Sequence, residues 1–378
     1  MNRDTFIQVA LRTDPGSLKD LCLVNKFYYK VFQENNEYIC KKLLEKYQVE
    51  YSDPSNFIYI YNKVSIDDYK VEEIYDHSKI LELYMEKFNS KEIWCEYLDI
   101  SSFPIYPNMV IFKGENNKLK SFSVQPKMTH FYGENNEMTS FPVQPKMVEF
   151  HGDYNKLTTF PVQPEMVEFE GNSGQLTSFP VQPEMTYFCG NNNNLTTFPV
   201  QPKMVCFFGR VNQLTSFPVQ PKMTHFEGGR NQLGSFPVQP KMVEFHGHGN
   251  KLTTFPVQPS MTRFYGDNNE MSSFPVQPSM THFHGENNEM TSFQVQPKMK
   301  YFYGNDNELR SFPVQPEMVE FHGHNNKLES FPVQSKMTVF YGLDNKMKTF
   351  SIQPNMRHFY GENNKLGVFI GSTRDGVL

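Results

Sequence analysis

From Met109 onward, apolar residues recur at a fixed period of nineteen, and no copy gains or loses a residue through Met356. Fourteen copies follow one pattern, M-x-x-F-x-G-x-x-N-x-[LM]-x-x-F-P-V-Q-P-x, numbered here as positions one to nineteen. The copy from Met147 to Glu165 shows it without substitution: Phe150 at four, Gly152 at six, Asn155 at nine, Leu157 at eleven, Phe160 at fourteen, Pro161 and Pro164 on the return. Asn at nine suits the bend after the strand, because its side chain bonds backbone groups that a turn leaves unpaired. Pro at fifteen and eighteen predicts an extended return, since Pro lacks a donor and disfavours helix on its N-terminal side. One such coil cannot enclose its own apolar face. Stacked coils bury a continuous core of Met, Phe, Leu and Phe columns, so the pattern predicts a solenoid.

Apolar residues at one, four, eleven and fourteen with Asn at nine resemble the leucine-rich repeat, L-x-x-L-x-L-x-x-[NC]-x-L. The resemblance covers about three quarters of the chain. It implies a right-handed β-solenoid with strands on a concave face, here with a non-helical, Pro-rich convex side. Two features depart from the family. Position six, normally an inward aliphatic residue, is Gly in every copy from Gly114 to Gly361, and the period falls just below the usual lower limit of about twenty. Phe at four and fourteen is expected to fill the space that Gly leaves, because interiors tolerate volume-conserving exchange better than voids. The Phe-Pro endings look most like the short repeats of the leucine-rich ubiquitin-ligase effectors of bacterial pathogens. Those carry a separate catalytic domain, and with about nine residues after Phe369 no ligase chemistry is expected here.

The repeat projects backwards onto Ile93, Cys95, Ile100 and Phe103 at positions four, six, eleven and fourteen, and forwards onto Leu366 and Phe369. The solenoid is therefore expected over 91–378. Ahead of it, Asp4 caps a short helix ended by Asp14-Pro15-Gly16, and Ser17 opens a second with Leu18, Leu21, Cys22, Val24, Phe27, Tyr28, Val31 and Phe32 at helical spacing. A third is expected from about Asn36 to Tyr47. Residues 48–90 read as a helical linker or cap, and the whole chain is of the α+β class.

The string Asp20-Leu21-Cys22-Leu23-Val24-Asn25-Lys26-Phe27-Tyr28 within three short helices over 1–47 resembles an F-box. The usual opening Leu-Pro is replaced by Asp4-Thr5-Phe6, and the Trp common near the third helix is missing. The resemblance implies that Leu18, Leu21, Leu23, Val24 and Phe27 dock a Skp-type adaptor of a cullin-type ubiquitin ligase. Such F-box proteins with short repeats are similar to those of amoebae and the large DNA viruses infecting them. The alternative is that these helices only cap the open end of a free-standing binding or structural solenoid, since end repeats need a polar-faced cover.

Charge narrows the partners. Residues 1–100 hold 13 Lys and Arg against 18 Asp and Glu, which leaves 23 against 23 for the repeats. A phosphate-tracking surface needs a clustered positive stripe, so no nucleic-acid partner is expected. No apolar run approaches the roughly 18 residues that span a bilayer, and Asp4, Arg12 and Asp14 interrupt any secretory signal. Five cysteines without a C-x-x-C pair fit a reducing compartment, so a cytoplasmic protein, with the nucleus also open, is expected.

The variable positions three and five carry the candidate partner-binding residues: His130, Tyr132, Glu149, His151, Tyr187, His225, Glu244, His246, Arg263, Tyr265, His282, His284, Tyr301, Tyr303, Glu320, His322, His358 and Tyr360. Ten of the eleven histidines fall at positions three, five or seven. An aromatic strip of this kind resembles a protein-binding surface, where Tyr gives large contact area at low entropy cost. Repeat copying alone also accounts for such a column. Glu244-x-His246-x-His248 and Glu320-x-His322-x-His324 offer metal ligands, but a row on one strand splays them while zinc needs them convergent, so no metal or cofactor is expected. No nucleophile elbow, phosphate loop or H-E-x-x-H occurs, which argues for a non-enzymatic adaptor. Trp94, the single tryptophan, is expected to pack at the domain junction.

Overall fold

The computed structural model describes residues 91–97 and 100–370. The helices expected over 1–47 and 48–90, and with them Leu18, Leu21, Leu23, Val24 and Phe27, lie outside the described residues. What is described falls into two compact units, one ending at Met166 and taking in Ser173–Gln175, the other made of Val167–Asn172 and the chain from Leu176 on.

In the first unit, β1 (Glu92–Trp94), β2 (Ile111–Lys113), β3 (His130–Tyr132) and β4 (Glu149–His151) pair in parallel, each residue facing its equivalent nineteen places on. Ile93 and Cys95 are fully buried, with Ile100 and Phe103 close to it.

The second unit repeats the arrangement with β5 (Glu168–Glu170), β6 (Tyr187–Cys189), β7 (Cys206–Phe208), β8 (His225–Glu227), β9 (Glu244–His246), β10 (Arg263–Tyr265), β11 (His282–His284), β12 (Tyr301–Tyr303) and β13 (Glu320–His322). β14 (Ser330–Phe331), β16 (Thr349–Ser351) and β18 (Val368–Ile370) form a separate three-stranded sheet, while β15 (Val339–Tyr341) and β17 (His358–Tyr360) continue the main one beyond β13. All pairs are parallel, and none of the described residues is helical. The Pro-rich return thus excludes helix as its missing donors require.

The packing explains the Gly at six, the first of the two departures from the leucine-rich pattern. From Phe112 to Phe340, Phe at four is fully buried and stacks on its equivalent in the next coil, as Phe264, Phe283 and Phe302 do at 5.5 and 5.3 Å. Phe at fourteen fits edge-on between them, Phe293 lying 4.8 Å from Phe283 and 4.9 Å from Phe302. Each position-four ring also lies over the Gly two places on: a Cβ added at Gly285 would stand 2.4 Å from Phe283 Cζ. The ring occupies the space that an aliphatic residue at six would fill. Position six carries a side chain in the first coil, Cys95, where position four is the ringless Ile93.

Two amide columns close the coils. Asn231 Nδ2 donates to the carbonyls of Gly209 (2.8 Å) and Gly228 (3.1 Å), while its Oδ1 accepts the Leu214 N–H at 2.9 Å. The Gln at seventeen, which simple polarity would place outside, is fully buried. Gln239 Nε2 donates to the Pro218 carbonyl (3.0 Å), and its backbone N–H donates to Gln258 Oε1 at 2.8 Å. These bonds satisfy backbone groups that the return path, lacking a strand ladder, would leave orphaned. The turn back to the next Met places Pro at its second residue, and the Met242 N–H donates to the Gln239 carbonyl at 3.3 Å. Position eight is held at positive φ whichever residue occupies it, including Val211 at 54° and Asn268 at 54°.

Candidate protein-interaction face

The register of nineteen aligns equal positions, so within each unit residues at three and five form columns along the strands that carry them. All eighteen residues expected there occupy strand positions flanking a Phe, buried in every case except the half-buried Phe359 between His358 and Tyr360.

In the first unit, Glu149 gathers its neighbours: Tyr132 Oη donates to it at 3.1 Å and His130 Nε2 lies 3.5 Å away. His151 tilts against the Tyr132 ring at 4.8 Å. Trp94 does not pack inside a junction. It stands on the strand face, partly open to solvent, with its Nε1–H on Glu92 (2.6 Å) and the Lys113 ammonium 4.1 Å from its ring centroid. Position five alternates outward there as elsewhere, which sequence reasoning about a lone Trp overlooked.

The second unit carries the longer arrangement. His246, Tyr265, His284, Tyr303, His322, Tyr341 and Tyr360 stack in one row, with successive ring centroids 4.2, 4.6, 4.3, 4.5, 4.3 and 4.4 Å apart. Interplanar angles of 28° or less leave the rings nearly parallel. Ring faces are spent on one another, while His246 Nε2 meets Glu244 at 2.8 Å, His322 Nε2 meets Glu320 at 2.6 Å and the Tyr303 phenol donates to Glu320 at 3.3 Å. At position three, His282 stacks on Tyr301 at 4.6 Å. Tyr187 and His225 stand apart from this row, the former tilted against Phe208 at 5.4 Å and the latter beside Thr224 Oγ1 at 2.8 Å. Tyr341, absent from the residues singled out above, joins His322 to Tyr360. Its place in the position-five column was the available signal.

Electrostatics sharpen the picture. Burial, and then the neighbouring imidazoles of His282, His246 and His322, hold His284 down at about 4. Burial likewise lowers His282 and His248, with nearby arginines adding to the effect. These imidazoles are neutral at pH 7. Tyr303 is pushed up to about 12 by burial and by Glu320, to which its phenol donates at 3.3 Å. Burial raises Asp267 and Glu286 at position seven, and for Glu286 the Asp267 charge adds to it. Across β5 to β17, positions three, five and seven hold eight carboxylates (Glu168, Glu170, Glu227, Glu244, Asp267, Glu286, Glu320, Glu362) against two cations, Arg210 and Arg263. The repeats as a whole are balanced, so the strand face is acidic and the lysines lie elsewhere on the coils.

The Glu-x-His-x-His strings do not converge. His246 Nε2 meets Glu244 at 2.8 Å, whereas His248 Nε2 lies 3.3 Å from Arg210. Among the described residues no three His, Cys, Asp or Glu side chains gather as a metal would need.

No protein-family model matches the chain, and no curated protein does. Solved structures do. The chain is similar to YopM, a leucine-rich effector protein from Yersinia pestis, with a TM-score of 0.60 and 19% identity over 79% of this chain and 91% of that one. It is similar to the leucine-rich repeat domain of APL1B, with a TM-score of 0.50 and 15% identity over 72% and 86%. At these identities the likeness is one of fold: a leucine-rich-repeat solenoid of about fourteen turns.

Proposed function

We propose that the chain is a protein-interaction adaptor: the strand face of the repeats holds a protein target, and residues 1–47 dock a Skp-type adaptor of a cullin-type ubiquitin ligase. The observation that carries the target-binding half is the seven-ring row from His246 to Tyr360, set on an outward face beside carboxylates. Leucine-rich solenoids are typical protein-binding scaffolds, and Tyr in a fixed row offers contact area whose ordering entropy is already spent in the free protein. The ligase half rests on the F-box resemblance of the Asp20 to Tyr28 string, with Leu18, Leu21, Leu23, Val24 and Phe27 as the docking residues. Such an adaptor catalyses nothing itself and works in the cytoplasm, where its adaptor and target meet.

Co-purification with a Skp adaptor tests the ligase half. The wild-type chain is expected to bring the adaptor down and Leu21→Asp to lose it. A wild-type chain that brings down no adaptor removes that half and leaves a free-standing binding solenoid.

A further inference from the structure

We infer that the target segment seated on the β9 to β17 face is rich in Lys and Arg. This rests on the protein-binding reading of that face and names the chemistry of its partner. The strand face shows with its own residues how it holds a cation. Lys113 places its ammonium over Trp94 at 4.1 Å and 3.6 Å from Glu92. Arg210 reaches Glu227 at 3.2 Å, and Arg263 reaches Glu244 at 3.3 Å. In each case the cation comes from the coil beside the carboxylate, so a ring or carboxylate column accepts an ammonium or guanidinium from a neighbouring position.

Glu286 and Glu320 have the same setting and no such occupant. Glu286 accepts only the Asn305 side-chain amide (2.7 Å), and Glu320 accepts His322 (2.6 Å) and the Tyr303 phenol. No Lys or Arg among the described residues pairs with either. The imidazoles between them do not neutralise the face at pH 7, because burial keeps His284 and His282 uncharged. Glu286 stands one strand step of about 4.8 Å from the equivalent Asp267, inside the screening length of about 8 Å, so these two fields add, while Glu320 offers a second acidic point two coils further along the face. A neutral or acidic segment gains nothing there, while a basic one supplies the missing partners along a row whose phenol oxygens also accept.

The test uses the full chain and fluorescence anisotropy with a labelled peptide alternating Lys with Gly and Ser, its Glu counterpart as comparison. The Lys peptide is expected to bind at least about tenfold more tightly. Glu286→Gln with Glu320→Gln is expected to weaken it about fivefold or more, with an unchanged circular dichroism spectrum. Glu317→Gln, which removes the same charge from a pair with Lys336 off the strand face, is expected to leave it unchanged. Equal binding of both peptides, or equal loss on Glu317→Gln, overturns the inference. Spermine competing as well as the peptide at equal charge assigns the face to small polyamines and also overturns it. If Tyr303→Ala abolishes target association while the Lys peptide never binds, this inference falls and the protein-binding proposal stands.

Discussion

Adding one methyl group at Gly285 tests why this solenoid departs from the leucine-rich pattern. In Gly285→Ala the new Cβ would meet Phe283 Cζ at 2.4 Å, Cε1 at 2.6 Å and Met290 Cε at 3.4 Å. Carbon atoms prefer about 3.5 to 4.0 Å, so the ring must retreat by about 1 Å. It has nowhere to go. Phe264 and Phe302 stack on its two faces at 5.5 and 5.3 Å, and Phe274 and Phe293 press its edges at 4.8 Å each. Overpacking a filled core costs about 1 to 3 kcal/mol, and with four rings fixed around the site the upper end is expected. Phe283→Leu alone should also destabilise, by leaving part of the ring volume empty. Together they recreate the Ile93 and Cys95 pairing of the first coil, where a branched aliphatic side chain at four accompanies a side chain at six. The double variant should therefore be more stable than the sum of the single losses by about 1 kcal/mol or more. Urea unfolding followed by circular dichroism reads all three. A Gly285→Ala chain as stable as wild type, or strictly additive losses, would refute the idea that ring and glycine are one packing unit.

Other consequences can be checked alongside. Gln277→Leu removes the acceptor for the Gln258 N–H (2.7 Å) and the donor to the Pro256 carbonyl (3.0 Å) in a dry interior, so a loss of about 2 to 4 kcal/mol in urea unfolding is expected. Val211→Asn replaces a β-branched residue held at φ 54° with one that tolerates the left-handed region, and a gain of about 1 kcal/mol is expected in the same assay. His284, held at about 4 in the fold, binds its proton earlier in the unfolded chain, whose ordinary value is near 6.5. Its contribution to stability is complete above pH 6.5 and is lost as pH falls towards 4, so His284→Gln should flatten the pH dependence of the urea midpoint in that window.

Much of this was legible in the chain, for a physical reason: a fixed period forces equal positions into columns. The Met, Phe, Leu and Phe core, the turn-bonding Asn and the helix-free return follow from residues read one copy at a time, and the strand at three to five from the likeness of that copy to the leucine-rich repeat. What escaped such reading depends on pairs nineteen residues apart. Gln239 looks like a surface residue until Gln258 is set beside it, when the two amides form a buried chain of bonds. The charge balance of the repeats hid an acidic strand face, because the compensating lysines, such as Lys336 beside Glu317, lie at other positions of the coil. The ring row likewise emerges only when the copies are laid in register, and it then includes Tyr341. Trp94 shows the converse error: treated singly it suggested packing, whereas its column puts it on the open face.

A protein partner is expected to touch the ring row and not the return path. A photo-crosslinking benzophenone residue placed at position 303, and in a second chain at the half-exposed Val257, measures this in cells. Adducts of a protein target at 303 and none at 257 are the predicted result. Adducts at 257 alone, or in equal yield at both, would contradict it.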